Sequence, residues 1–161
     1  MNKLRPIRLG FTLIEMVVVI VLIAILAAAT LPIFKDRGDE ALLAATAREM
    51  RIIASAAELV QAETGQLPAD ASEGAEPPEL QGMLPSAVWS KQPFGGQYDW
   101  NGPGTLAPNF GIGIAFKNRQ YGRIQDKLVE LDKIMDDGDI NTGATQVVVY
   151  SGLYFFQFLM D

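Results

Sequence analysis

The chain has 161 residues and a net charge of −6, with 49 % apolar and 20 % charged side chains. It has no Cys, which removes disulfides, and no His, which removes the usual general base near neutral pH and the commonest metal ligand. Lys3, Arg5 and Arg8 precede all 19 acidic side chains, so the bulk of the chain is acidic. Phosphate contacts need Lys and Arg, and nucleic acid is therefore excluded as the main partner.

The apolar residues are not spread evenly. Phe11 to Phe34 is almost entirely Val, Ile, Leu and Ala, with one charge, Glu15. As a helix it rises roughly 36 Å at 1.5 Å per residue. A bilayer core of roughly 30 Å needs about 20 such residues, so the segment is long enough to span. The basic residues lie before it, which places the N-terminus in the cytoplasm and the residues after about 35 outside. A secretory signal peptide cut after Ala29 is the rival reading. Its apolar core would be unusually long and would contain a carboxylate. An acid there costs about 2.5 to 3.5 kcal/mol on insertion scales and calls for a cationic partner. No base lies within the run; a free amine made by cleavage close by would serve.

The stretch Gly10-Phe11-Thr12-Leu13-Ile14-Glu15, followed by the apolar run to Pro32, resembles the class III signal of type IV pilins and pseudopilins. The resemblance implies cleavage by a prepilin peptidase after Gly10 and N-methylation of Phe11. It implies that Glu15 meets the new amine of its own or a neighbouring subunit, and that Pro32 bends or locally melts the helix. The expected partners are further pilin-like subunits, the prepilin peptidase and an inner-membrane assembly platform. The implied fold is the pilin ladle, an α+β fold with a long N-terminal helix against a small antiparallel sheet.

Asp39 to Thr64 continues as an amphipathic helix. Leu43, Thr46, Met50, Ile53, Ala57 and Val60 form one stripe, and Gly65 suits the C-terminal cap. Gly38 is a second candidate bend. The expected organisation is a leader (1–10), a transmembrane and assembly helix (11–34), its amphipathic continuation (35–65) and a globular head (66–161).

Gln66 to Pro85 reads as loop with a short helix around Pro78 to Met83. Gly95-Gly96 predicts a tight turn, and Tyr98 and Trp100 alternate as in a strand. Similar stretches occur in pseudopilins of secretion systems. Phe110 to Lys117 reads as a strand; its Gly111-x-Gly113 lacks the third glycine and the helix of a dinucleotide motif. Ile124 to Met135 reads as a short helix. Gln146 to Tyr150 and Leu153 to Met160 read as a closing hairpin around Ser151-Gly152. The run Leu153 to Phe158 is too apolar for a free edge.

Asp137, Asp139 and Asn141 alternate like the start of a calcium loop. An EF-hand is excluded, since the glycine comes one place late and Val148 stands where a Glu is required. Two readings stay open: a calcium-binding loop, which major pseudopilins carry near their C-terminus without a position-by-position match here, and a polar turn bonding its own backbone.

Three functions follow in order: a non-enzymatic subunit of a pilus-like or type II secretion pseudopilus filament, a minor tip-binding subunit of the same kind, and a membrane-tethered domain that never polymerises. The corresponding location is the bacterial inner membrane, with the head periplasmic or extracellular.

Overall fold

The computed structural model describes residues 11–103 and 109–160, with the side chains of residues 30–36 outside that description. The expected leader, residues 1–10 with Gly10, therefore lies outside the described residues. The chain divides into two compact units, Met1–Glu40 and Ala41–Asp161.

Helix α1 covers Leu13–Thr64. It is assigned as helix through Pro32 and Gly38. The helix runs on through Pro32 although that residue brings no backbone N–H to it. At its far end Gly65 takes φ +79° and its N–H bonds the Gln61 carbonyl at 2.8 Å, closing the last turn.

In the unit Ala41–Asp161, a four-stranded antiparallel sheet follows: β1 (Gln97–Asn101), β2 (Gly111–Lys117), β3 (Thr145–Tyr150) and β4 (Leu153–Leu159), in the order β1-β2-β4-β3. Helix α2 (Asn118–Met135) leaves directly from the end of β2. The architecture is α+β, as expected. The Leu153 to Phe158 run is held between β2 and β3, so its apolar side chains have neighbours on both sides.

The whole stripe expected on α1 is buried: Leu43, Thr46, Met50, Ile53, Ala57 and Val60. It shares one core with Tyr98, Trp100, Ile112, Ile114, Phe116 and Phe156, alternate residues that mark the inner face of the sheet. Leu128 and Leu131 of α2 complete that core. Three polar links fix the register. The Tyr98 hydroxyl donates to Glu49 at 2.9 Å, Trp100 Nε1 to the Pro68 carbonyl at 3.0 Å, and Arg51 to the Ile134 carbonyl at 2.7 Å. Burial, with Glu49 adding to it, pushes the Tyr98 hydroxyl well above its ordinary pKa.

Two readings need correction. α2 starts at Asn118, not Ile124. Asn118 and Gly122 are poor helix formers, but Gln120 offsets them locally. Its Oε1 accepts from the Lys117 N–H at 3.0 Å and its Nε2 donates to the Gly95 carbonyl at 2.7 Å. The tight turn is carried by Phe94 (φ 54°) and Gly95 (φ +82°), not by the glycine pair. Gly96 is extended; a Cβ there would lie 2.3 Å from the Phe116 ring and 2.7 Å from the Ala115 carbonyl oxygen. Close approach, not turn geometry, requires that glycine.

Truncating a stripe residue should leave a cavity. Ile53→Ala is expected to destabilise the head by about 2–5 kcal/mol. Ile52→Ala, at a neighbouring position 44 % exposed, should change stability by under about 0.5 kcal/mol. Urea unfolding of the two variants compares them directly.

Candidate functional site

Of the residues singled out at the N-terminus, Glu15 sits on the first turn of α1, Phe11 lies just before the helix, and Gly10 lies outside the described residues. Thr12 precedes Leu13, and its Oγ1 and carbonyl oxygen accept the Glu15 N–H at 3.3 and 3.1 Å. Thr12 is therefore the N-cap of α1, satisfying a backbone donor that the helix cannot. Glu15 is the acid of the first turn, where the positive end of the helix dipole favours a negative charge. Thr12 was not among the residues expected to matter. The signal was present as Thr-x-x-Glu ahead of an apolar run, the signature of a capping box.

Among the described residues from 11 to 29, the apolar side chains are exposed. Phe11 is 70 % exposed, Leu13 82 % and Leu26 65 %, and the Val, Ile and Leu residues between them are also exposed. Apolar surface on this scale marks a segment that meets a membrane or another chain. Among the described residues no helix is long and apolar enough to cross a membrane. The expected span to Phe34 includes side chains outside the described residues, as does that of Pro32, so the transmembrane reading stays a proposal.

The second candidate, the acidic turn after α2, is built differently. Asp137 Oδ1 accepts the Asp139 N–H at 2.8 Å, and Asp139 Oδ1 accepts both the backbone N–H and the Nδ2 of Asn141 at 3.1 and 2.8 Å. The Asn141 bonds hold the Asp139 carboxyl below the usual range. Asp137 and Asp139 thus form two consecutive polar turns, each carboxylate bonding the backbone N–H two residues on, and the Asn141 side chain bonds back to the second. Among the described residues no group of three or more acidic side chains is arranged to hold a metal ion.

Two neighbours that the sequence did not flag do more for the fold. Asp136 Oδ2 accepts the Ala144 and Thr145 N–H groups. Asp132, fully buried, accepts from the Gly138 N–H at 2.7 Å and from the Thr145 hydroxyl. The turn also bonds β3 through Val147 N–H to the Ile140 carbonyl at 2.7 Å. It therefore closes much of the outer edge of β3. Asp132 could not be picked out in advance, because only packing shows which of five nearby acids is inside.

Burial pushes the Asp132 carboxyl up to about 6, with Asp137 and Asp136 raising it further and the Gly138 N–H opposing. Since the ordinary value is 3.8, the fold binds a proton that the unfolded chain releases between these values. Stability from this group is complete below about pH 4 and is lost as pH rises to about 6. Urea midpoints for wild type and Asp132→Asn should show the wild-type advantage shrinking from pH 4 to 6 and then holding constant.

Residues 6–31 match the family profile described as the prokaryotic N-terminal methylation motif. The matched span contains the Gly10-Phe11 junction, Thr12 and Glu15. No curated protein and no solved structure matches the chain.

Proposed function

We propose that this chain is a structural subunit of a filament of the type IV pilus or type II secretion pseudopilus kind, assembled through its N-terminal helix after cleavage by a prepilin peptidase. The carrying observation is the N-terminal turn within the methylation motif: a capped helix start with Glu15 in its first turn, followed by an uncovered apolar surface. Cleavage after Gly10 leaves a cationic amine on Phe11, one helical turn from Glu15. In a water-poor bundle of helices, that charge and the carboxylate of a neighbouring subunit stabilise each other far more than at a surface, but only as a pair. Register in the filament then follows from meeting of these two groups. Before assembly the same apolar helix holds the subunit in the inner membrane, with the acidic head outside.

The two edges of the sheet support a helix-led assembly. The β3 edge is bonded by the acidic turn, and the β1 edge is bonded by the chain around Ala71 and Gly74. A free sheet edge is a template for pairing with another chain, and the bonds along part of each edge oppose it. A secretion pseudopilus is favoured over an adhesive pilus by the Pro-Phe-Gly-Gly-Gln-Tyr-Asp-Trp stretch that opens the sheet.

Intact-mass and N-terminal peptide mass spectrometry of the native membrane protein provides the first test. The expected chain begins at Phe11 and carries one added methyl group. A chain beginning at Thr30, or at Met1, would refute the reading. Glu15→Ala is then expected to leave processing intact and abolish filaments seen by electron microscopy, while Glu15→Asp retains part of the assembly.

A further inference from the structure

The strand β1 is short, lies at the sheet edge, and carries Asp99 at its centre. Tyr98 and Trp100 point into the core, so Asp99 and Asn101 lie on the opposite face. Among the described residues the two long helices pack on the inner face, yet on the opposite face Asp99 is only 5 % exposed.

The chain before β1 runs along its edge. The Gly74 N–H bonds the Tyr98 carbonyl at 2.7 Å and the Ala71 N–H bonds the Trp100 carbonyl at 3.3 Å. Asp70 Oδ1 accepts the Gly102 N–H at 3.3 Å. A Cβ on Gly102 would lie 2.2 Å from the Pro68 carbonyl oxygen, so the segment is pressed closely onto the strand. This segment is the only partner among the described residues for the outward carbonyls of β1. It also brings Asp70 and Glu73 to bear on Asp99.

Among the described residues, no cation is among the groups that act on Asp99. Within β1 its same-face neighbours are Gln97 and Asn101. Across the sheet it faces Gly113 and then Gln157. The strap contributes Asp70 and Glu73, both acidic. Lys117, at the far end of β2, shares a cleft with Glu73. It is not among the groups that act on Asp99.

We propose that residues 70–74 form a strap that is closed over β1 while Asp99 is protonated and that opens as Asp99 loses its proton. In the closed arrangement a charge at Asp99 is desolvated and faces two further carboxylates, which disfavours ionisation. In the open arrangement the carboxylate is hydrated and far from both. Opening is therefore coupled to proton release, and it uncovers the backbone of an edge strand. The closed arrangement holds the Asp99 carboxyl up to about 7, chiefly by burial and then by Glu73 and Asp70, against an ordinary 3.8; the Asn101 side chain opposes. The sign follows. Opening increases as pH rises from about 4 to 7, by up to about tenfold per pH unit, and levels off above.

Hydrogen–deuterium exchange on the full-length protein in detergent micelles tests this, with rates corrected for intrinsic exchange at each pH. The amides of Ala71 and Gly74 are expected to lose at least about tenfold protection between pH 5 and 7, while those of β4 change far less. Asp99→Asn should remove the response. Asp70→Asn with Glu73→Gln leaves Asp99 in place and should weaken it, which keeps the question decidable if Asp99→Asn does not fold. Strap protection that is the same at both pH values overturns the proposal. So does a response retained in Asp99→Asn or undiminished in the double variant, and so does a loss shared equally by β4.

Discussion

The head depends on one packing arrangement: the apolar stripe of α1 laid on the inner face of the sheet. Met50, Ile53 and Ala57 meet the layer made by Tyr98, Trp100, Ile112, Ile114 and Phe156 with essentially no solvent left between them. Full burial of each large apolar side chain is worth roughly 1.5–3 kcal/mol, so this interface outweighs any single polar link around it. The links decide register instead. Glu49, on the same helix, takes the Tyr98 hydroxyl and pairs with Lys91. Arg51 ties α1 to the last turn of α2. Sliding the helix by one turn would keep much of the apolar contact and lose all three.

A sheet of four strands has two edges, and each needs something to prevent further pairing. Here both are dressed by acidic connecting segments. On β3 the work is done by Asp136 and the Ile140 carbonyl, anchored by Asp132 below. On β1 it is done by the backbone of residues 71–74, with Asp70 and Glu73 alongside. The acidity of these connecting segments therefore has a structural role. It also carries a cost, because Asp132 and Asp99 are placed where their charged forms are poorly solvated. Each edge thus carries one carboxyl that burial holds above its ordinary value.

The N-terminal turn obeys a different logic from the head. Its apolar side chains are left uncovered within the chain, and its acid sits at the helix start. The uncovered apolar surface is unfavourable for an isolated soluble helix and favourable for one that is received by other helices, whereas the acid at the helix start is favoured by the helix dipole in either setting. The Thr12 cap fits this arrangement. It secures the first turn locally, so that the position of Glu15 relative to the chain start does not depend on the partner.

Much of this could be read directly from the residue order. The apolar run with its single acid, the three- and four-residue spacing from Leu43 to Val60, and the alternating strands of the C-terminal hairpin are local patterns. A local pattern needs only the periodicity of helix or strand to be legible. The Gly10-Phe11-Glu15 motif is of the same kind. Other features were decided by tertiary structure, because they depend on residues far apart in the chain. Asp99 and Asp132 look like any other acids until the strap and the turn fold over them. The spacing of Gly96 is explained only by the Phe116 ring twenty residues on. The start of α2 at Asn118 depends on Gln120 reaching back to Gly95, against the preference of the local residues. Periodicity reports which face of an element is buried; which group is buried against which other is a long-range fact, and only the folded chain states it.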